Sequence, residues 1–285
     1  MEITATMPSN EMPAWGYTAI AAVLLVIGLF GFFLNLFVIV LMCRDMQIWT
    51  PMNVILLNLV CSDFSVSILG NPFTLISALN KGWFFGESVC VAYGFFMSLL
   101  GITSITTLSV LSYERYCLVS CPFSATHLTK KGAKIVVVFI WLYSLALTMP
   151  PLFGWGKYVS EAANISCSVN WETQTYNATS YIVFLFVFGL VVPVNIIIYS
   201  YVKIIKTMRE NAVRSGRVNK LENRVTSMIF VMIIAWTPYS CFALSEQFGD
   251  PELITPSLAV LPALLAKSSI CYNPLIYVGM NSQVR

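Results

Sequence analysis

The chain has 285 residues, of which 58% are hydrophobic and only 10% are charged. A soluble domain carries about 25% charged residues, so this composition excludes a soluble globular protein and indicates an integral membrane protein. The net charge of +3 and the eight scattered cysteines, none in a Cys-x-x-Cys pair, point to neither a nucleic-acid partner nor a redox centre. The one histidine, His127, lies in a short polar loop, which argues against a zinc site.

Seven apolar stretches each reach the length of about 20 residues that a helix needs to cross a bilayer. Short connections make neighbouring spans antiparallel, so we predict an all-α seven-transmembrane helix bundle formed by a single domain, residues 1–285. Prolines within or at the ends of the spans are expected to kink the helices. The predicted spans are Tyr17–Met42, Met52–Leu79, Val89–Val119, Lys134–Phe153, Ser180–Lys206, Val225–Phe248 and Ser257–Val278, and the prolines are Pro72, Pro150, Pro193, Pro238 and Pro274.

The distribution of lysine and arginine predicts the orientation of the bundle. If the N-terminus is extracellular, the outer loops hold only Lys81 and Lys157, and nearly all the other basic residues lie inside. The positive-inside rule favours this orientation. Residues 1–15 lack a basic start and carry Glu2 and Glu11, so we expect no signal peptide.

Two cysteines and two asparagines belong to the predicted extracellular side. Cys90 begins the third span and Cys167 lies in the second outer loop, so we predict a disulfide, with two free thiols as the alternative. Asn177 begins one glycosylation sequon and is the predicted acceptor. The second sequon, at Asn164, is less suitable because it adjoins Cys167.

Polar residues also occur within the apolar spans. Asp63 lies in the middle of the second span, and an intramembrane carboxylate needs partners. Four polar residues lie at a similar depth on other helices: Asn35, Ser104, Ser269 and Asn273. These residues form either a purely structural hydrogen-bond network or a water-filled switching cluster that holds a sodium ion; we predict no other metal site.

Lys267 lies in the middle of the last apolar stretch. A charged amine at this depth costs at least about 2.5–3.5 kcal/mol on insertion scales, so such a residue is a functional candidate. A primary amine in an apolar pocket can also form a Schiff base with an aldehyde, because desolvation lowers its pKa. Lys267 therefore indicates a covalently bound carbonyl cofactor.

These features together resemble the rhodopsin-like G-protein-coupled receptors over nearly the whole chain. Lys267 within Ala266-Lys267-Ser268-Ser269 narrows the resemblance to the animal opsins, where a lysine at this position binds retinal. Within the opsins the chain is most similar to the non-visual encephalopsin and teleost-multiple-tissue group, which includes insect members. The matching residues are Asn35, Asp63, Cys90, Glu114-Arg115-Tyr116, Trp141, Pro151–Trp155, Tyr158, Pro193, Tyr201, Trp236-Thr237-Pro238-Tyr239, Asn273-Pro274-x-x-Tyr277 and Asn281-x-Gln283-x-Arg285.

The resemblance implies that retinal is joined to Lys267 as a protonated Schiff base, whose positive charge needs a nearby anion. Vertebrate visual pigments have a glutamate on the third helix where this chain has Tyr93. Glu161, six residues before Cys167, is the remaining carboxylate in the outer half and the predicted counterion. The alternative is that Glu161 is an exposed loop acid. With its counterion on the loop, the pigment is expected to be bistable.

The resemblance also implies a mechanism. Light converts 11-cis-retinal to all-trans, the region near Trp236 moves, and the sixth helix swings outward around Pro238. The freed Arg115 of the Glu114-Arg115-Tyr116 triplet then forms the G-protein site, for which we expect an inhibitory Gi/Go partner at the plasma membrane. The other residues of this switch are Tyr201, Asn273, Pro274 and Tyr277. The residues expected to contact the cofactor are Tyr93, Ser98, Gly101, Ile102, Tyr158, Trp171, Phe186, Gly189, Trp236, Tyr239 and Ala263.

Three other functions share some of these features. One is a retinal photoisomerase, which has the same fold and lysine but does not signal. The Glu-Arg-Tyr and Asn-Pro-x-x-Tyr motifs favour a signalling receptor instead. A light-driven ion pump needs carboxylates near the lysine on the third helix, and this chain has none there. A receptor for a diffusible ligand requires that Lys267 form no imine.

The sequence departs from the opsin pattern in two places. Between Glu222 and Trp236 it is about one helical turn shorter than opsins usually are. It also stops at Arg285, where opsins continue into an amphipathic helix and a phosphorylatable tail, so we expect the protein to be longer than this sequence.

Overall fold

The computed structural model describes residues 12–44, 49–120, 128–161, 163–215, 237–238, 240–245, 247–249 and 256–280. Long helices dominate it, and we number them in chain order. They are α1 (Ala14–Arg44), α2 (Pro51–Ser65), α3 (Asn71–Leu79), α4 (Glu87–Ser120), α5 (Lys130–Thr148), α6 (Tyr176–Phe186), α7 (Val192–Ser215) and α8 (Pro256–Met280).

The helices correspond to the predicted spans. α1, α4, α5 and α8 are the first, third, fourth and seventh spans, while α2 with α3 forms the second and α6 with α7 the fifth. Only the end of the predicted sixth span is described, as helical residues between 237 and 248, so its predicted shortening lies outside the described residues. Within the described residues, five helical stretches are long and apolar enough to cross a membrane.

Threonine caps mark where three of the spans begin. The hydroxyls of Thr50, Thr129 and Thr175 each accept a hydrogen bond from the backbone N–H three residues later, at 3.2, 3.0 and 3.4 Å. Such a cap satisfies one of the backbone donors that the first turn of a helix leaves without a partner. The polar residue before each apolar stretch therefore sets the first turn of the helix.

The second and fifth spans each contain a π-helical turn, at Val66–Gly70 and Val187–Val191. Each turn ends just before a proline, Pro72 or Pro193. A proline ring clashes with the carbonyl four residues earlier, and the wider π turn relieves that clash. The sequence predicted that these two prolines kink their spans. In the structure, each span accommodates its proline by one extra residue in the preceding helical turn.

The fourth span ends earlier than predicted. Helix α5 stops at Thr148, and Pro150–Phe153 form a short 3-10 helix, whereas the sequence predicted a span that continues to Phe153. Pro150 and Pro151 both lack the N–H that an α-helix requires, so the apolar run continues after the helix has ended.

A β-hairpin lies across one end of the bundle, which we call the outer end. Strand β1 (Tyr158–Ser160) pairs antiparallel with β2 (Cys167–Val169), and Tyr158 is opposite Val169. A disulfide joins Cys90 at the start of α4 to Cys167 in β2, with 5.4 Å between their Cα atoms, as predicted. The disulfide fastens the hairpin over the space between the helices.

Large apolar side chains lie on the surface of the bundle, and several polar side chains are buried within it. Phe33, Phe139 and Val202 are 61%, 64% and 58% exposed, while Asn35 and Asp63 are 0% and 2% exposed. In a bilayer, apolar side chains face the lipid and polar groups must be satisfied by other protein groups. This arrangement is the reverse of a soluble protein and agrees with a membrane location.

Buried amides connect the spans through hydrogen bonds. Asn35 of α1 donates to the carbonyl of Ile270 in α8 at 3.0 Å. Asn58 of α2 donates to the hydroxyl of Thr107 at 2.9 Å and accepts from the indole of Trp141 at 2.8 Å. The first bond fixes the first span against the seventh, and the other two fix the second span against the third and the fourth.

We expect Gly156→Ala to destabilise the protein more than Gly154→Ala. Both glycines have positive φ angles, 81° and 93°, so an alanine at either position costs about 1–2 kcal/mol. A Cβ at Gly156 would also overlap the ring of Tyr181, adding about 1–3 kcal/mol, whereas one at Gly154 would meet nothing within 4 Å. Melting temperatures of the purified variants measure the difference, and equal losses would contradict the overlap.

Candidate functional site

The side-chain amine of Lys267 lies within the bundle and hydrogen-bonds two hydroxyl groups. Its Nζ lies 3.1 Å from Thr74 Oγ1 and 3.3 Å from the hydroxyl of Tyr93. Thr74 and Tyr93 are 2% and 6% exposed, and their oxygens are 2.6 Å apart. Three spans therefore meet at the lysine: α3 of the second, α4 of the third and α8 of the seventh.

Neutral oxygens, not a carboxylate, surround this amine. Among the described residues, the hydrogen-bond partners of Nζ are the two hydroxyls alone. A hydroxyl oxygen can accept a bond from an ammonium group but cannot neutralise its charge. A permanent positive charge on this nitrogen therefore needs an anion from elsewhere in the site.

A cavity of about 210 Å³ opens beside Lys267 and extends to the fifth span and to the hairpin. Its walls are mainly apolar, with a few polar groups from the third and seventh spans and from β2, as ligand pockets generally are. The structure brings ten of the predicted cofactor residues to this one cavity: Tyr93, Ser98, Gly101, Ile102, Glu161, Trp171, Phe186, Gly189, Ala263 and Lys267.

Glu161 follows β1 and lies half-buried on the wall of the same cavity. Its backbone N–H donates to the carbonyl of Ser166 at 2.9 Å, and the hydroxyl of Ser166 donates to its carboxylate. Ser166 is only 3% exposed. The loop therefore holds Glu161 at the cavity wall. The alternative from the sequence was that Glu161 is an acid exposed to solvent.

Asp63 lies at the inner end of the cavity with its carboxylate hydrogen-bonded. Ser104 Oγ donates to one carboxylate oxygen at 3.0 Å, and Asn273 Nδ2 donates to the other at 2.6 Å. Ser269 also lines the cavity, but its hydroxyl donates to the carbonyl of Ala266, and Asn35 bonds the backbone of α8 instead. Two of the four predicted partners thus contact the carboxylate directly.

The structural and the sodium-binding roles of this cluster both stay predictions. Within the described part of the chain, no group of three or more histidine, cysteine, aspartate or glutamate side chains is arranged to hold a metal ion.

The inner end of the bundle carries the Glu114-Arg115-Tyr116 triplet, half-buried at the end of α4. The ring of Tyr116 is 5.7 Å from that of Tyr199 in α7. Tyr201, 4% exposed, packs in an apolar cluster against Tyr116. The triplet and Tyr201 therefore come together where the third and fifth spans meet.

Several chains of known function are similar to this one. Residues 34–277 match the family of seven-transmembrane receptors of the rhodopsin type. The chain is 33% identical to a vertebrate ancient opsin of Salmo salar, over 98% of this chain and 88% of that protein. It is also 33% identical to a melanopsin of Phodopus sungorus, over 98% of this chain and 63% of that protein.

The crystal structure of squid rhodopsin superposes with a TM-score of 0.87 at 28% identity, covering 100% of this chain and 89% of that one. The protein is an opsin of the rhodopsin family. The predicted seven-helix membrane fold and the opsin resemblance are thereby confirmed. The encephalopsin-type subgroup stays a prediction, and this opsin spans less than two thirds of the length of the melanopsin.

Two residues of this opsin that the sequence did not single out belong to the site. Thr74 bonds Lys267, and Ser166 bonds Glu161. A polar residue within an apolar span is the signal for Thr74, but the sequence does not say which way its side chain faces. Ser166 carries no signal beyond its place next to Cys167.

Tyr158 is a predicted cofactor residue that the structure does not place on the described cavity wall. It is 5% exposed and packs in a core cluster with Leu147 and Tyr181. Burial raises the pKa of Tyr158 to about 12, so its hydroxyl stays protonated, and it donates to the carbonyl of Thr148 at 2.8 Å. Its observed role is to anchor the hairpin to the fourth span.

Other predicted residues of this opsin stay predictions. Trp236 and Tyr239 lie outside the described residues, as does the side chain of Tyr277. The amide of Asn177 already bonds the loop before it, donating to the carbonyl of Gly154 at 3.0 Å and accepting from the N–H of Gly156 at 2.8 Å. Glycosylation at Asn177 is not tested by these contacts.

We expect Thr74→Val to lower the free energy of unfolding by about 1–3 kcal/mol, because it leaves the buried Tyr93 hydroxyl without its 2.6 Å partner. Tyr93→Phe removes the other side of the same bond. The double variant should therefore lose less free energy of unfolding than the sum of the two single variants, by about 0.5–3 kcal/mol. Denaturation in detergent measures these losses.

Thr18→Val is the matched control, because its exposed hydroxyl bonds only the backbone of its own helix. Its effect should stay within about 0.5 kcal/mol. Strictly additive losses for Thr74 and Tyr93 would show that their contact contributes nothing.

Proposed function

We propose that this opsin is a light-activated G-protein-coupled receptor that binds retinal through a protonated Schiff base on Lys267. The observation that carries the proposal is the position of the Lys267 amine, which is half-buried within the seven-helix bundle at the edge of an apolar cavity. A primary amine at the edge of an apolar cavity is placed to form a Schiff base with an aldehyde that enters the cavity.

The residues around the cavity fit a long apolar aldehyde. Lys267 would hold its aldehyde end, and Gly101 and Gly189 provide room along the walls between larger side chains such as Phe186. Bound retinal would supply the absorption of light and a change of shape from the 11-cis to the all-trans isomer. The protein supplies the orientation, the exclusion of water and the charges.

Glu161 is the proposed counterion for the positive charge on the Lys267 nitrogen. The other carboxylate on the cavity wall, Asp63, already accepts hydrogen bonds from Ser104 and Asn273. Tyr93, on the third span, offers Nζ a hydroxyl group and not a carboxylate. A low-dielectric cavity requires an anion for a buried cation, which leaves Glu161.

Helix α8 connects the lysine to the inner end of the receptor. Lys267 and Asn273 are six residues apart, about 9 Å along the helix axis. Asn273 bonds Asp63, and Pro274 follows it directly. A displacement at Lys267 can therefore reach the second span through α8 and alter how the spans pack at Arg115 and Tyr201.

We further propose that the inner end binds a heterotrimeric G protein of the inhibitory Gi/Go type, at the plasma membrane. The packing of Tyr116 against the apolar cluster that contains Tyr201 supports a site where the third and fifth spans meet. A change in how these spans pack would change the affinity for the partner, as in any two-state receptor.

Purified protein incubated with 11-cis-retinal should become coloured, and borohydride should fix the retinal to it. Lys267→Ala should lose the adduct and the light response, because no other amine of the described cavity wall can form it. Lys157→Ala, which changes a lysine of the outer loop, is the control and should keep both.

Light should accelerate nucleotide exchange on an inhibitory G protein at least about tenfold, a shift of 1.4 kcal/mol in the barrier.

An adduct that persists in Lys267→Ala would overturn the assignment of the lysine. Sustained release of 11-cis-retinal without nucleotide exchange would instead identify a photoisomerase.

Glu161→Gln should move the absorption band from the visible to the ultraviolet near neutral pH, because the Schiff base loses its proton without an anion. Glu172→Gln is the control: Glu172 lies in the same outer loop and is exposed, and it should leave the spectrum unchanged. In the unsubstituted protein the photoproduct should keep its proton, and a second light pulse should restore the dark spectrum. A visible-absorbing Glu161→Gln pigment would rule out Glu161 as the counterion.

A further inference from the structure

The π turn Val187–Val191 of the fifth span forms part of the cavity wall. Phe186 lies directly before it, and Gly189 and Leu190 lie within it; all three line the cavity. Gly189 packs closely against the third span, since a Cβ there would lie 2.8 Å from Ile102 Cδ1. The shape of this wall therefore depends on the register of the π turn.

The π turn leaves the carbonyl of Phe188 without a backbone partner. In an α-helix this carbonyl would accept from the N–H of Val192, but that N–H bonds the carbonyl of Val187 instead. The next donor in a π pattern would be residue 193, which is a proline and has no N–H. In the π register, therefore, neither Val192 nor Pro193 supplies a backbone donor to the Phe188 carbonyl.

A hydroxyl from the fourth span satisfies this carbonyl. The hydroxyl of Tyr143 donates to Phe188 O at 2.7 Å. The side chain of Phe188 is 43% exposed on the outer surface of the bundle, where lipid and not water would surround it. A backbone carbonyl without a partner in that position is costly, so the bond from Tyr143 favours the π register over the α register.

We propose that Tyr143 is a positioning residue for the chromophore cavity. By satisfying the Phe188 carbonyl, Tyr143 leaves the Val192 N–H available to the Val187 carbonyl and holds Gly189 and Phe186 at the cavity wall. Without the hydroxyl, the carbonyls of Val187 and Phe188 compete for the single Val192 N–H, and the wall shifts. The inference rests on the proposed binding of retinal, because it assigns Tyr143 to the shape of that cavity.

The test compares Tyr143→Phe with the unsubstituted pigment after reconstitution with 11-cis-retinal. We expect a displaced absorption maximum, because the wall around the chromophore has moved. Dark thermal loss of the pigment should be about threefold faster, as for an average hydrogen bond between membrane helices. In retinal-free protein, peptides covering residues 186–194 should exchange amide hydrogens faster.

Tyr181→Phe is the matched control. Its hydroxyl also bonds a carbonyl between the fourth and fifth spans, Leu147 O at 3.1 Å, but outside the π turn and away from the described cavity wall. This variant should lose thermal stability while its absorption maximum stays in place. If the absorption maximum of Tyr143→Phe is unchanged, the proposal is overturned. Tyr143 then only stabilises the protein, even if the thermal loss of the pigment is faster.

Gly189→Ala tests whether Tyr143 acts through the wall. Both variants disturb the same contact between the fifth and third spans, so their spectral shifts should be non-additive in the double variant. Additive shifts would overturn the proposal. If the unsubstituted protein forms no pigment, the proposed function fails. Amide hydrogen exchange in residues 186–194 still decides whether Tyr143 holds the turn. Equal exchange rates in Tyr143→Phe and Tyr181→Phe would exclude that role for Tyr143.

Discussion

The interior of a bilayer offers no water, so a buried donor or acceptor in a membrane-spanning bundle is costly unless it finds a partner within the protein. In this opsin that constraint determines how the spans pack. Asn35 bonds a carbonyl of α8, and Asp63 accepts from Ser104 and Asn273. The carbonyl of Phe188, left over by a π turn and a proline, takes its bond from Tyr143. The helices are thus fastened at points where a polar group has few alternative partners.

The same constraint makes the surroundings of Lys267 chemically specific. The amine reaches only the hydroxyls of Thr74 and Tyr93 among the described residues. Both oxygens orient the amine without neutralising a charge on it, and this is why Glu161 is proposed as the counterion of a permanently charged nitrogen. That carboxylate comes from a loop held by the Cys90–Cys167 disulfide and by Ser166. Lys267 and Glu161 line the same cavity, and the position of this acid on a loop motivates the bistable behaviour proposed for the pigment.

The two ends of the molecule are connected by continuous helix. Lys267 and Asn273 share α8, while the third span runs from the disulfide at Cys90 to the Glu114-Arg115-Tyr116 triplet. A change at the cavity can therefore alter the packing at the inner end without a separate transmitting element. The π turns are the irregular points in this framework. Each ends before a proline, and the one in the fifth span places Gly189 against the third.

The resemblance to the opsins predicted most of the cavity residues. Hydropathy, charge and motif spacing by themselves determined the described spans, the disulfide and the lysine at mid-membrane depth. These features follow from local composition, because the cost of placing a residue in lipid belongs to that residue. Tertiary structure alone decided that Thr74 faces Lys267, that Ser166 holds Glu161, and that Tyr158 anchors the hairpin. It also decided that Pro72 and Pro193 follow π turns. The direction in which a helical side chain points depends on the rotation and register of the whole helix against its neighbours, and no local pattern in the chain specifies that.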